Sequence, residues 1–390
     1  MTGAWRQFVH RPQALRLRWW IFQIHLWAGI ILALYLIAVG LSGSILVFRE
    51  ELTALGNPSL VRSPHPEAPL APLEAVEAEL RSTYPEHAVN TIQLPSLYTE
   101  NFRAFLSGPS SLTAYSDRAS GEVLGVIERD GYWITWMQQL HFYLLAGKPG
   151  LIANGIGGLF LSLLCLTGIF LWWPGVRRWG RALVIRFRSN WKRFNWDLHS
   201  VGGFWSLPLV LIWGVTGAYF AWPQEFAAAV NVFSPVISVA PPKLSVKELP
   251  QDQPAPAIDV AALVALAQER EPQHRVSGVI FPTAPTVPLR VMMARGELWD
   301  TRSTNYLYYD PYRREYLGTW ERGVNKTLGD EIVFLMGPLH FGVYWGFALK
   351  ALWATLGLAL PGLAVTGCLM YWNRSLSGVW RRLRSRKQAR

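Results

Sequence analysis

His25-Leu-Trp-Ala-Gly29 and His199-Ser-Val-Gly-Gly203 open two long apolar stretches, and their ungapped alignment carries Gly40-Leu-Ser-Gly43 onto Gly214-Val-Thr-Gly217. Each histidine stands 18 residues before the last of those glycines, which at about 3.6 residues per turn is five whole turns, so both point the same way from a helix. A second pair of segments repeats likewise. Leu140-His141-Phe142 falls on Leu339-His340-Phe341, and extension without gaps places Thr167-Gly168 on Thr366-Gly367 and Trp172-Trp173 on Tyr371-Trp372. The chain therefore reads as an internal duplication, each half running helix, polar segment, helix, with the two halves parallel.

The apolar stretches are long enough to span a bilayer, whose hydrocarbon core takes about 20 residues of helix. Four such segments occur: 19–48, 149–176, 198–224 and 341–372, the last interrupted by Lys350. Composition agrees, with 51% hydrophobic against 16% charged residues and 20 tryptophans, as expected of a membrane protein with aromatic belts. The first run far exceeds a signal-peptide core of about 7–15 residues and lacks an Ala-x-Ala exit, so it reads as an uncleaved anchor.

The net charge of +11 is concentrated beside these runs, in Arg6 to Arg18, Arg177 to Arg193 and Arg374 to Arg390. Such flanking charge is a topology signal rather than a nucleic-acid face, and by the positive-inside rule it puts all three segments, and both termini, in the cytoplasm. The expected organisation is a cytoplasmic N-terminus with helix one (1–48), an external domain (49–140), helix two with its preceding histidine (141–176), and a basic loop (177–197). Helix three (198–224), a second external domain (225–339), helix four (340–372) and a basic tail (373–390) complete it.

Both external segments read as small α+β modules. Leu112–Tyr115 and Val123–Val126 form strands around an Asp-containing turn, and Tyr306–Tyr309 with Tyr316-Leu317 repeats them. Amphipathic helices are expected over Leu73–Thr83 and Ile258–Arg270, with proline-rich linkers at Pro64-His65-Pro66 and Pro254-Ala255-Pro256. The fold expected is a mainly α membrane protein, four spanning helices in a pseudo-two-fold arrangement with two external α+β domains.

Of eight histidines, only His25, His141, His199 and His340 sit at or beside the apolar runs, and each recurs in the other half. A histidine in or near hydrocarbon is costly and marks a functional site, the plainer alternative being an interfacial ring hydrogen-bonded to headgroups or backbone. His25 and His199 share the inner depth, His141 and His340 the outer. Two imidazoles at one depth on different helices can ligate one haem iron from opposite sides, giving two sites across the membrane. Gly29 and Gly203 would leave room for a flat macrocycle or for a close helix. Two ligands per depth are too few for zinc, Cys165 and Cys368 read as small buried hydrophobes, and no C-x-x-C-H sequence exists, so the haems would be b-type. Lys148 and Lys350 either neutralise a haem propionate or snorkel to the outer interface. His10, His65, His87 and His274 have no repeat partner and read as surface residues.

Taken together, the His25-x3-Gly29 helix, the Tyr115-Ser-Asp117…Gly121-Glu-Val-Leu-Gly125 unit, the repeated Leu-His-Phe and the Thr167-Gly168…Trp172-Trp173-Pro174-Gly175 exit resemble the PepSY-associated transmembrane family. Within it the chain is similar to the bacterial inner-membrane ferrisiderophore reductases, those acting on ferrioxamine in particular. That resemblance implies two haems, two periplasmic PepSY domains, and reduction of a ferric siderophore of hydroxamate type on the periplasmic side. The second turn, Asp310-Pro-Tyr-Arg-Arg-Glu-Tyr-Leu-Gly318, departs from the family unit in lacking a glycine opposite Gly121. No dinucleotide-binding glycine fingerprint occurs, so the electron donor would be a separate cytoplasmic protein or a membrane quinol. Trp133, Trp136, Tyr344 and Trp345 could contact substrate or serve as belt anchors. Two rival functions are a haem-free siderophore or solute permease, and a sensor or protease-regulating module acting through the external domains.

Overall fold

A computed structural model describes residues 3–247, 256–296, 303–342, 346–378 and 380. Most of the Pro254-Ala255-Pro256 linker, the aromatic pair Tyr344 and Trp345, and the basic tail beyond residue 380 lie outside the described residues. Contacts divide the chain into two compact units, one of residues 1–48, 137–226 and 335–390, the other of 49–136 and 227–334.

The first unit is helical. Among the described residues, four of its helices are long and apolar enough to cross a membrane: Leu17–Leu46, Gly147–Trp172, Trp191–Ala221 and the stretch Gly346–Leu376. The third begins seven residues before its apolar run, because Asn190 caps it by accepting from the Arg193 N–H. Charge kept Trp191–Asp197 out of the hydropathy window, but charge does not prevent a capped segment from being helical.

Small residues let these helices approach closely. A Cβ added at Gly158 would stand 2.7 Å from the Gly214 carbonyl, and one at Gly40 would stand 2.6 Å from Pro361. Around these crossings Ala33, Leu36, Leu161, Leu164, Val210 and Leu360 form the buried core. At one end of the bundle Arg18 donates to the carbonyls of Phe170, at 3.2 Å, and Leu171, a cation set on a helix C-terminus where the macrodipole favours it. Trp173 donates to Phe8 O at 3.0 Å, Trp172 stacks on Phe204 at 4.0 Å, and Arg374 lies over Phe22 at 4.8 Å. The starts of the first and third spanning helices thus share an end with the exits of the second and fourth.

Among the described residues, the second unit is built on one antiparallel sheet of eight strands. Its strands are β1 (Ala88–Gln93), β2 (Phe102–Ser107), β3 (Leu112–Ser116), β4 (Val123–Glu128), β5 (Arg275–Ile280), β6 (Leu289–Ala294), β7 (Thr304–Tyr309) and β8 (Tyr316–Arg322). Their order is β4-β3-β2-β1-β5-β6-β7-β8. Sequence alone shows one hairpin in each polar segment; the structure has four strands in each and joins the two sets edge to edge. The join pairs Thr91 with Ile280, Ile92 with Val279 and Gln93 with Gly278. Gly278 is required there, since a Cβ would stand 2.6 Å from Ile92 O.

Helices Leu73–Thr83 and Val260–Arg270 cover one face of this sheet, and Val76, Leu80, Ile92, Leu263, Val279 and Leu307 merge beneath them into a single core. Burying both inner edges removes two of the four exposed edges that separate sheets would carry.

The turn that lacks its glycine keeps its geometry. Gly121 has φ +81° and Arg314, at the same place, φ +56°. Asp117 Oδ1 accepts from Ala119 and Ser120 N–H, and Asp310 Oδ1 from Tyr312 and Arg313 N–H, all at 2.8–2.9 Å. The aspartate that organises the turn, more than the glycine, dictates its shape.

Candidate functional site

His25 lies two turns into the first spanning helix and His199 in the third turn of the third. Their ring centres are 6.3 Å apart, with planes at 85°. His141 and His340 lie on separate short helices, Trp133–Tyr143 and Leu328–Phe341, which end in positive-φ turns at Leu144, Leu145 and Gly147 and at Gly342. Those ring centres are 6.1 Å apart, at 55°. The structure therefore brings the four sequence-predicted residues together in the two expected pairs.

The pairs occupy opposite ends of the same helices. His141 packs against Gly43, and at about 1.5 Å per residue the 18 residues from His25 to Gly43 span roughly 27 Å. A hydrocarbon core is about 30 Å thick, so each pair stands near one of its faces. The apolar core of Leu36, Leu161, Val210 and Leu360 fills the levels between.

Every one of these rings is held from the Nδ1 side by a hydroxyl on a neighbouring spanning helix. His25 Nδ1 lies 2.9 Å from Thr167 Oγ1, His199 Nδ1 3.0 Å from Thr366 Oγ1, His141 Nδ1 3.1 Å from Ser42 Oγ and His340 Nδ1 2.7 Å from Thr216 Oγ1. At three of the four positions the glycine after the hydroxyl makes the room. A Cβ would stand 3.3 Å from His25 Cε1 if added at Gly168, 3.2 Å from His199 Cε1 at Gly367 and 2.8 Å from His141 Cε1 at Gly43, while at Gly217 it would meet nothing within 4 Å. Sequence reading missed these hydroxyls. The signal was present, because Ser/Thr-Gly occurs at all four repeat positions, but no periodicity links a residue to a ring more than 90 positions away.

The short helices are also tethered through backbone carbonyls at His141 and beside His340. Asn154 donates to His141 O at 2.7 Å and itself accepts from Tyr35 Oη at 2.7 Å. Trp353, at the matching position of the other half, donates its indole N–H to Leu339 O at 2.9 Å. An amide and an indole perform one task, satisfying the terminal carbonyls of a short helix.

The donor set fits a b-type haem at each level. Two imidazoles bound to one iron from opposite sides, each donor nitrogen about 2 Å from the metal, hold their ring centres roughly 6 Å apart, and both observed separations meet that requirement. Nδ1 is occupied by a hydroxyl, so Nε2 is the nitrogen left for a ligand. At Gly29 and Gly203 an added Cβ would meet only a leucine methyl, at 3.9 and 3.5 Å, so the nearest neighbours there leave space rather than a tight helix crossing. Among the described residues no group of three or more His, Cys, Asp or Glu side chains comes together.

The remaining candidates are placed as follows. Lys350 is buried, with Nζ 5.8 Å from the Phe48 ring centre, and Lys148 is exposed on the first turn of the second spanning helix. Cys165 is buried and Cys368 half-buried. Trp133 and Trp136 are exposed. His10 and His65 are exposed, while His87 and His274 are half-buried, His274 against Glu271 at 2.9 Å.

A bundle of four spanning helices that carries paired histidines at two levels, attached in sequence to an antiparallel sheet unit, defines a multi-pass membrane protein with two matched histidine pairs. Residues 22–374 match the PepSY-associated TM region, and the chain belongs to that family. It is 28% identical over 269 residues to the uncharacterized protein PA4219 of Pseudomonas aeruginosa, a match covering 63% of this chain and 64% of that protein's length.

Proposed function

We propose that this protein is a di-haem reductase of the bacterial inner membrane that takes electrons on the cytoplasmic side and reduces ferric siderophores, of hydroxamate type, in the periplasm. The observation that carries the reading is the pair of bis-histidine sites, each spaced for one iron and set near opposite faces of the bilayer. When bound, a b-type haem would supply a one-electron couple at each level.

This chain's own residues do the rest. His25 with His199, and His141 with His340, present Nε2 to the cofactor while a hydroxyl holds each ring. The apolar residues between the levels keep water out of the intervening bundle. The basic end that joins Arg18, Arg374 and the 177–197 loop is assigned to the cytoplasm by the positive-inside rule, which sends the two polar segments to the periplasm as PepSY domains. The recurrence of the histidine, hydroxyl and turn geometry in both halves supports a duplicated origin. One electron converts iron(III) in the chelate to iron(II), a softer ion that hard oxygen donors hold less strongly, so the metal is released. The donor is a separate cytoplasmic protein or a quinol.

Purified protein is expected to show a Soret band and two haems per chain. His141→Ala or His340→Ala should remove one haem and spare the other, and His25→Ala or His199→Ala should do the converse. Dithionite-reduced protein mixed with ferric chelates in stopped flow should reoxidise fastest with the true substrate. A colourless preparation, or loss of both haems from each single variant, would end this reading.

A further inference from the structure

The hydroxyls that face the four rings each have a single proton, and each has a carbonyl of its own helix within hydrogen-bond reach. Ser42 donates to Ala38 O, Thr167 to Leu163 O, Thr216 to Ile212 O and Thr366 to Gly362 O, every one at 2.7 Å and four residues back along its own helix. With its proton on that carbonyl, the oxygen accepts from the imidazole beside it and Nδ1 is the donor. His199 gives the same answer by another route. Its Nδ1 also lies 3.1 Å from Leu363 O, a carbonyl with no proton to offer.

We infer that Ser42, Thr167, Thr216 and Thr366 are positioning residues that hold all four histidines in the Nδ1-protonated tautomer, leaving the Nε2 lone pair free at both levels. Their effect on iron ligation rests on the di-haem reading, whereas the tautomer itself follows from the hydrogen bonds alone. An Nδ1–H bonded to oxygen makes the imidazole a stronger electron donor through Nε2 and fixes the ring's orientation. The ferric state is favoured by such a ligand, so loss of the bond raises the midpoint potential.

The four positions are not equally dependent on their hydroxyl. Thr216 makes the one polar contact to the His340 ring among the described residues, whereas His199 keeps the Leu363 carbonyl when Thr366 is removed. Val is close to Thr in shape and lacks only the acceptor, so Thr216→Val and Thr366→Val test the same chemistry with and without a substitute partner.

The experiment has two parts on the purified protein. In nitrogen–proton correlation spectra of protein prepared without haem and labelled with nitrogen-15 histidine, assigned with histidine variants, the four rings of the paired sites should all appear as Nδ1–H, since with no iron on Nε2 only the hydrogen bonds set the tautomer. One of them appearing as Nε2–H would overturn the inference. In potentiometric titration with optical and electron-paramagnetic-resonance readout, Thr216→Val should raise the potential of one haem and leave the other unmoved. Thr216→Ser should restore it, and Thr366→Val should shift its haem much less. Equal shifts for the two valine variants, or wild-type potentials and spectra in Thr216→Val, would refute the positioning role. If Thr216→Val does not fold, the wild-type tautomers still decide. A wild-type protein that binds no haem fails the functional proposal instead, and the nitrogen spectra of that protein still report the tautomer.

Discussion

The glycines that follow the four hydroxyls permit a graded test, because the same one-carbon addition meets four different environments. At Gly43 an alanine Cβ would stand 2.8 Å from His141 Cε1, shorter by about 0.7–1.2 Å than the optimum of roughly 3.5–4.0 Å for two carbons. At Gly168 and Gly367 the distances to His25 and His199 are 3.3 and 3.2 Å, and at Gly217 the direction is open. Replacing glycine by alanine inside a helix gains about 0.8–1.0 kcal/mol of propensity, and overpacking costs about 1–3 kcal/mol. Gly43→Ala should therefore lose up to about 2 kcal/mol and displace the His141 ring, Gly168→Ala and Gly367→Ala should be close to neutral, and Gly217→Ala should gain up to about 1 kcal/mol. Thermal melting in detergent gives the stability order. Haem content, measured as the haemochrome, should fall towards one per chain in Gly43→Ala alone, with the retained haem matching the one that survives in His141→Ala. Full haem retention in Gly43→Ala, or equal losses in all four variants, would refute the packing reasoning.

Other expectations concern the sheet unit. Asp330 is fully buried and accepts from the Ile237 and Ser238 N–H groups, the Ser238 hydroxyl and the Lys326 N–H. Burial alone would raise its pKa, but these donors outweigh burial and hold it well below the usual carboxylate range. A pKa depressed on folding contributes stability that is complete above the unfolded value of about 3.9 and drains as pH falls through it towards the folded value. Melting temperature should accordingly decline below about pH 4 in wild type, while Asp330→Asn should start about 1–3 kcal/mol lower at neutral pH and decline less steeply; a parallel acid response in the two proteins would contradict the assignment. Gly121→Ala should cost about 1–2 kcal/mol, since its φ of +81° is strained for any side chain. Arg314→Gly relieves the same strain at φ +56° but gives up chain stiffness and an exposed ion pair with Asp259, so denaturant melts should show a net change within about 1 kcal/mol.

Hydropathy and local periodicity made much of this legible in advance. Four spans, two helices on the sheet and the strands flanking the Asp117 and Asp310 turns all depend on residues within a few turns of one another, and the structure places them close to where sequence reading did. The partnership of His25 with His199 and of His141 with His340 was readable too, because an ungapped repeat assigns equal depths without any knowledge of packing.

What the sequence could not determine is lateral. The spacing of Gly43 from His25 ties it to the His25 face of its helix, yet the ring that needs Gly43 is His141, from another helix at the other depth. Thr167, Thr366, Ser42 and Thr216 look like ordinary helix residues until neighbouring helices are packed, and only then does a hydroxyl with a committed proton face each Nδ1. The β1–β5 join that makes one sheet of two modules is of the same kind. Hydrophobic period says which face of an element is buried, and each of these contacts depends instead on which element lies against it, a choice made by shape and hydrogen bonding across segments far apart in the chain.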